Sequence, residues 1–210
     1  MADRSLLQPA MMLVAAGLAA AVILAGLNEL TDDRIEREQQ RRALAAVSAM
    51  LEADSYDNDL AADTARLRVP GLAHPATVHL ARSGGVPASA VIDVVTSRGY
   101  SGDIRLLLAV DMDGTVLGVR VIEHRETPGL GDRIERGKSD WIEQFAGRSL
   151  GDPPDESWAP DRRGGTFDTL SSATITSAAV IDAIKRALQA FEADKDALFE
   201  RAVTGNPEDS

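Results

Sequence analysis

The chain contains no cysteine, which excludes disulfides, iron–sulfur ligation, a thiol nucleophile and a lipid-modified cysteine anchor. Histidine is almost as scarce. His74, His79 and His124 are dispersed and lack the ligand spacing of a zinc site, so each reads as a surface or core residue. Positive charge is in deficit as well: a formal net charge of −11 argues against nucleic acid or anionic lipid as a partner. Also missing are a glycine-rich phosphate loop of the dinucleotide or Walker type, a nucleophile elbow, a His–Glu metal helix and any internal repeat. What remains is a chain of 210 residues, 44% of them apolar, enough for one packed domain plus an appendage.

The appendage is at the start. Ala10 to Leu27, AMMLVAAGLAAAVILAGL, runs 18 residues without a charge, the length at which a transmembrane helix becomes the default reading. A cleaved signal peptide is the rival. Ala19 and Ala21 imitate a cleavage site, but Val22-Ile23-Leu24 would then begin the mature chain, which favours an uncleaved anchor. Orientation stays open at this level. Arg4 precedes the span while Arg34, Arg37, Arg41 and Arg42 follow it, yet long domains are exported largely regardless of such counts.

Residues 31–54 carry helix formers, with Ile35, Leu44, Val47 and Leu51 on one face and a polar face rich in ion pairs. No firm period marks residues 56–73. Strands are expected at 76–82 and 90–97, then a strand pair in which Ile104, Leu106, Leu108 and Val110 alternate, followed by Leu117, Val119 and Val121. Asp113-Gly114 between them is a hairpin signal, because a tight turn needs the positive φ that Gly adopts freely. Residues 139–147 read as a short helix burying Trp141, Ile142 and Phe145, and 151–165 as a loop. A last helix over about 177–202 has the inward stripe Val180, Ile181, Ile184, Leu188, Phe191 and Leu198. The expected fold class is α+β: a single N-terminal transmembrane helix followed by one α+β domain. The divisions are 1–30 for tail and span, 31–75 for a membrane-proximal helix and connector, 76–202 for the domain and 203–210 for a tail.

One stretch stands out. TLSSATITSA (169–178) places six hydroxyls, Thr169, Ser171, Ser172, Thr174, Thr176 and Ser177, at the mouth of the last helix. One or two suffice to cap a helix N-terminus. Free N–H groups and a positive dipole end bind phosphate there, small neighbours leave room around Thr174, and a Thr hydroxyl can form a phosphoester. A hydroxyl-rich cap beside a surface Asp168 explains the same residues.

The segment Asp168-Thr169-Leu170-Ser171-Ser172-Ala173-Thr174 resembles the Asp-x-x-Ser/Thr-Gly-Ala-Thr signature at which a flavin transferase attaches FMN, through its phosphate, to threonine. Ser172 stands where Gly is usual. A second segment, 99–134, is similar to the FMN-binding domain of the G subunit of the Rnf electron-transport complex, and Glu126-Thr127-Pro128-Gly129-Leu130-Gly131 matches its ETPGLG loop. The C subunit of the sodium-translocating NADH:quinone oxidoreductase shares the domain; length and the hairpin segment favour the Rnf relative.

The resemblance implies an electron-transfer flavoprotein subunit of a redox-driven ion-translocating complex. FMN would be bound covalently at Thr174 as a one-electron relay. Ser171, Ser172, Ala173 and Thr176 would line the phosphate, Glu126, Thr127 and Leu130 would lie near the ring, and Asp168 would be the transferase's recognition element. It further implies a bacterial inner-membrane protein, single-pass, with its C-terminal domain in the periplasm. The partners would be the other membrane subunits and, during maturation, the transferase. The alternative is a membrane-anchored adaptor or ligand-binding domain without a redox group; it explains the anchor and the domain but leaves the paired motifs unexplained.

Overall fold

The computed structural model describes residues 45–204, together with Met12 and Gly17. Five strands make one antiparallel meander: β1 (Thr64–Leu67), β2 (Ala76–Ser83), β3 (Val86–Thr96), β4 (Ile104–Asp111) and β5 (Val116–His124), lying side by side in chain order. The β4–β5 hairpin turns at the expected Asp113-Gly114, with Gly114 at φ 81° and Val110 opposite Val116.

Two helices flank the sheet: a helical segment α1 (residues 45–50) and the C-terminal helix α2 (Thr174–Thr204). α2 covers one face. Its stripe of Val180, Ile181, Ile184, Leu188, Phe191 and Leu198 is buried as the 3.6-residue period requires. Removing these six side chains from water contributes on the order of 10 kcal/mol, an upper figure because the unfolded chain already hides part of them. On the sheet they meet Val78, Leu80, Ile92, Val94, Ile104, Leu106 and Leu108. The opposite face holds a second core. Here Ala81, Val91, Leu107 and Ala109 pack with Leu60, Leu51 and Val47, the last from α1. Central strands covered on both sides need apolar residues at successive positions, which is why β4 reads LLLAV rather than alternating with polar residues.

Two sequence expectations change. Residues 64–67, read as connector, form β1 and pair with β2 from Thr64↔His79 to Leu67↔Ala76. Only Leu67 of this short edge strand is fully buried, so there was no apolar period to see. Polar bonds secure the same region: Asn58 Nδ2 donates to Asp63 and to the Leu80 carbonyl, and the Arg82 guanidinium bridges Asp63 (2.7 Å) and the Phe199 carbonyl (2.7 Å). The second change is at α2, which begins at Thr174 rather than near Ser177.

Between β5 and α2 the chain makes 3-10 turns at Gly131–Ile134, Asp140–Phe145, Asp155–Ser157 and Asp161–Arg163. The second of these is the short helix expected at 139–147, with Trp141, Ile142 and Phe145 buried. Phe167 lies tilted against Phe145 at 4.8 Å and Trp158 at 4.7 Å, while Trp141 meets Phe145 edge-on at 5.5 Å. Trp141 also donates its indole N–H to the Asp168 carbonyl at 2.7 Å. The aromatic cluster therefore fixes the backbone that leads into α2.

Among the described residues no helix is long and apolar enough to cross a membrane. The span expected at 10–27 lies outside them, Met12 and Gly17 apart, as do Ile35 and Leu44 of the membrane-proximal helix.

Candidate functional site

The two motifs are far apart in sequence and share one cleft. It encloses about 570 Å³ and is lined by Glu126, Thr127, Leu130 and Gly131 from the loop after β5, by Ser171 to Thr176 at the start of α2, and by Tyr100 from the β3–β4 loop. The volume falls within the ~300–1,000 Å³ range of small-molecule sites.

The loop after β5 is shaped by its own residues. Thr127-Pro128-Gly129-Leu130 is a tight turn closed by Leu130 N–H to Thr127 O (3.1 Å). Pro128 holds the first central position, and Gly129, at φ 78°, takes the left-handed second one. Gly131 then passes so close to Glu126 that a β-carbon there would sit 2.9 Å from its Cβ and Oε2. Only glycine fits this approach without a shift.

Glu126 is the bracket of the site. The residue is 5% exposed; Oε2 accepts from the Thr176 hydroxyl at 2.6 Å and Oε1 from the Ser101 backbone N–H at 3.0 Å. One buried acidic side chain thus ties the β3–β4 loop, the ETPGLG loop and the first turn of α2 together, with a charge-assisted bond to each neighbour. Its own N–H donates to His124 Nδ1 (3.0 Å), so that nitrogen carries no proton and Nε2–H donates to Glu135 at 2.8 Å. Just beyond, Lys138 bonds both Asp132 (3.0 Å) and Glu135 (2.6 Å). Its ammonium, aided by the Gly129 backbone at Asp132 and by His124 at Glu135, holds both carboxyls below their ordinary range, and they in turn raise the Lys138 pKa.

The six hydroxyls divide their labour. Thr169 donates to Asp161. Thr176 is committed to Glu126, and Ser177, fully buried, donates to the Ala173 carbonyl while accepting the Leu170 N–H. Ser171 and Ser172 are exposed, and Thr174 is half-buried in the cleft. Ser177 N–H is the first amide to bond into the helix, to Ala173 O at 2.9 Å; those of Thr174, Ile175 and Thr176 have no acceptor among the described residues. An anion placed there meets three donors and the positive end of α2.

Every expected residue except Asp168 lines this cleft. Asp168 lies in a neighbouring depression of about 450 Å³ with Trp141, Gln144 and Asp161, which shares Ser171 with the cleft. Its backbone is held by Gln144 and Trp141 and the residue is exposed. Conversely, Tyr100 and Ile175 line the cleft and went unnoticed in the sequence. They are 69% and 52% exposed, and Leu130 is 44% exposed. Three large side chains with apolar surface are thus left open around one cleft, more than the surface of a chain ordinarily gathers in one place.

The family model described as the FMN-binding domain matches residues 99–189, a span that contains the whole cleft. Three relatives are named as the G subunit of the ion-translocating oxidoreductase complex. That of Pseudomonas aeruginosa is 40% identical over 93% of each chain. The Cereibacter sphaeroides protein is 45% identical over 83% of this chain and 79% of its own. The one from Yersinia pestis is 41% identical over 83% and 84%. The chain therefore belongs to the G-subunit family of the ion-translocating oxidoreductase complex, and its residues 99–189 match the FMN-binding domain.

Proposed function

We propose that this chain is the electron-transfer flavoprotein subunit of an ion-translocating oxidoreductase complex, carrying FMN joined through its phosphate to Thr174 as a fixed one-electron relay. The observation that carries the reading is the meeting of the 126–131 loop and the 171–176 segment on one cleft. The residues fit FMN in kind: open apolar side chains suit a planar aromatic ring, and three N–H groups without an acceptor among the described residues, beside a half-buried hydroxyl, suit a phosphate ester.

When bound, FMN supplies reversible electron uptake at its isoalloxazine ring; the protein supplies position and environment. The Thr174 hydroxyl would supply the ester oxygen that holds the FMN phosphate, its proton leaving with the nucleoside monophosphate half of a flavin dinucleotide brought by the transferase. The first N–H groups of α2 receive the phosphate charge. Leu130 and Ile175 shield the ring from water, and Glu126 holds the enclosing segments in register. No acid or base is needed for electron passage. Asp168, exposed beside the cleft, is available to the transferase, and an ester bond prevents the cofactor from leaving between turnovers.

The uncharged stretch at 10–27 supports a single transmembrane helix in the bacterial inner membrane, and the resemblance to the Rnf subunit carries the placement of the domain in the periplasm, where the other subunits of the complex would meet it. The test is co-expression with a flavin transferase, then denaturing electrophoresis viewed under ultraviolet light. The wild-type band fluoresces and the Thr174→Val band stays dark; peptide mass spectrometry finds the FMN mass on Thr174. Flavin on another hydroxyl, or a fluorescent Thr174→Val band, overturns the assignment.

A further inference from the structure

We infer that Tyr100 supplies a wall of the flavin-ring site, presented by a β3–β4 loop that Glu126 clamps in place. The inference rests on the reading of the cleft as an FMN site and assigns a residue outside both motifs to it.

The first observation is exposure. Tyr100 is 69% exposed although its ring is largely apolar, and it lines the same cleft as Leu130 and Ile175. A solvated tyrosine ring at a cleft wall gains by covering a flat apolar partner, with an added preference for offset aromatic stacking.

The second observation is that the loop is held rigidly at that place. Ser101 N–H donates to Glu126 Oε1 at 3.0 Å. A β-carbon on Gly99 would lie 2.3 Å from the Gly102 carbonyl oxygen and 2.7 Å from the same Oε1. Tyr100 sits between a glycine with no room for a side chain and a serine whose amide is bonded to a buried carboxylate. Its backbone position is thus set by Glu126, the group that also positions the first turn of α2 through Thr176. The ring wall and the phosphate donors are built on one bracket.

A phenol in contact with a flavin leaves a signature independent of turnover. It gives an electron to the photoexcited ring and takes it back, so emission is lost without net chemistry. The experiment uses the full chain loaded with flavin by co-expression, and reads the flavin's fluorescence lifetime. In Tyr100→Leu and Tyr100→Phe the lifetime of the attached flavin lengthens severalfold, because neither side chain donates an electron readily. Gly99→Ala, which pushes the loop off Glu126 without touching the ring, lengthens it as well. A lifetime in Tyr100→Leu equal to wild type, with flavin attached, overturns the wall and leaves the cleft reading standing. A wild-type chain that takes up no covalent flavin overturns the cleft reading and the wall with it.

Discussion

Thr176→Val tests the bracket directly. The substitution keeps the shape of a side chain that is 1% exposed and removes the hydroxyl that donates to Glu126 Oε2. The carboxylate cannot turn elsewhere: Gly99 and Gly131 are packed against it, and Ser101 N–H already occupies Oε1. Hydrogen bonds to charged groups contribute about 1.5–3 kcal/mol, and a buried acceptor left without one bears most of its desolvation cost, so a loss of about 2–3 kcal/mol is expected. Urea unfolding of the full chain, followed by emission of the buried Trp141 and Trp158, reads it. With a slope of about 2 kcal/mol/M the midpoint falls by about 1 M at unchanged slope. Thr176→Ser keeps the donor and should stay near wild type. Combined with Glu126→Met, which removes the stranded charge, the pair should cost less than the sum of its members. A midpoint shift below about 0.3 M in Thr176→Val would refute the bracket as a source of stability.

Three further outcomes follow from the same geometry and its proposed use. Asp132 and Glu135 have depressed folded-state pKa values, so their stabilisation is present above the ordinary carboxylate range near ~4 and is lost as pH falls through the lower folded values. Lys138→Met removes the main cause; its deficit against wild type should be constant above about pH 5 and shrink on acidification, and a deficit that ignores pH would exclude the mechanism. Leu130→Ala opens the 44% exposed rim of the cleft further, so the flavin should stay attached while its potential shifts in redox titration; an unchanged potential would return Leu130 to a plain turn residue. A periplasm-dependent reporter fused after Ser210 should be active and a cytoplasmic one silent, and the reverse pattern would place the domain on the other side of the membrane.

How much of this could be read beforehand depended on period and locality. The β4–β5 hairpin was legible because apolar runs flank a turn dipeptide, and the α2 stripe because Val180 to Leu198 repeats at helical spacing. β1 was not, since an edge strand of four residues with one buried side chain carries no pattern. At the cleft, motif resemblance selected Thr174 and the ETPGLG loop, but not what their neighbours do. That the Thr176 hydroxyl is bonded to Glu126, and that Ser177 is locked within the helix start, are facts of partners that lie elsewhere in the chain or fold back onto it. Nothing in the sequence singles out Tyr100 or Ile175; only the folded surface shows them open. Asp168 lies near Thr174 in sequence, yet it falls in a separate depression, because Trp141 and Gln144 hold its backbone there.

The meander and the closing helix differ in when they can form. Strand pairs joined in chain order make local contacts that can assemble as each hairpin emerges, whereas α2, the last element of the described chain, closes over strands made much earlier. Glu126 waits for Thr176, and Thr174 gains its cleft only when the final helix has docked. A modification directed at that folded cleft would come only once α2 has docked, and flavin fluorescence from the chain would report not only that a cofactor was added but that the helix had reached its place.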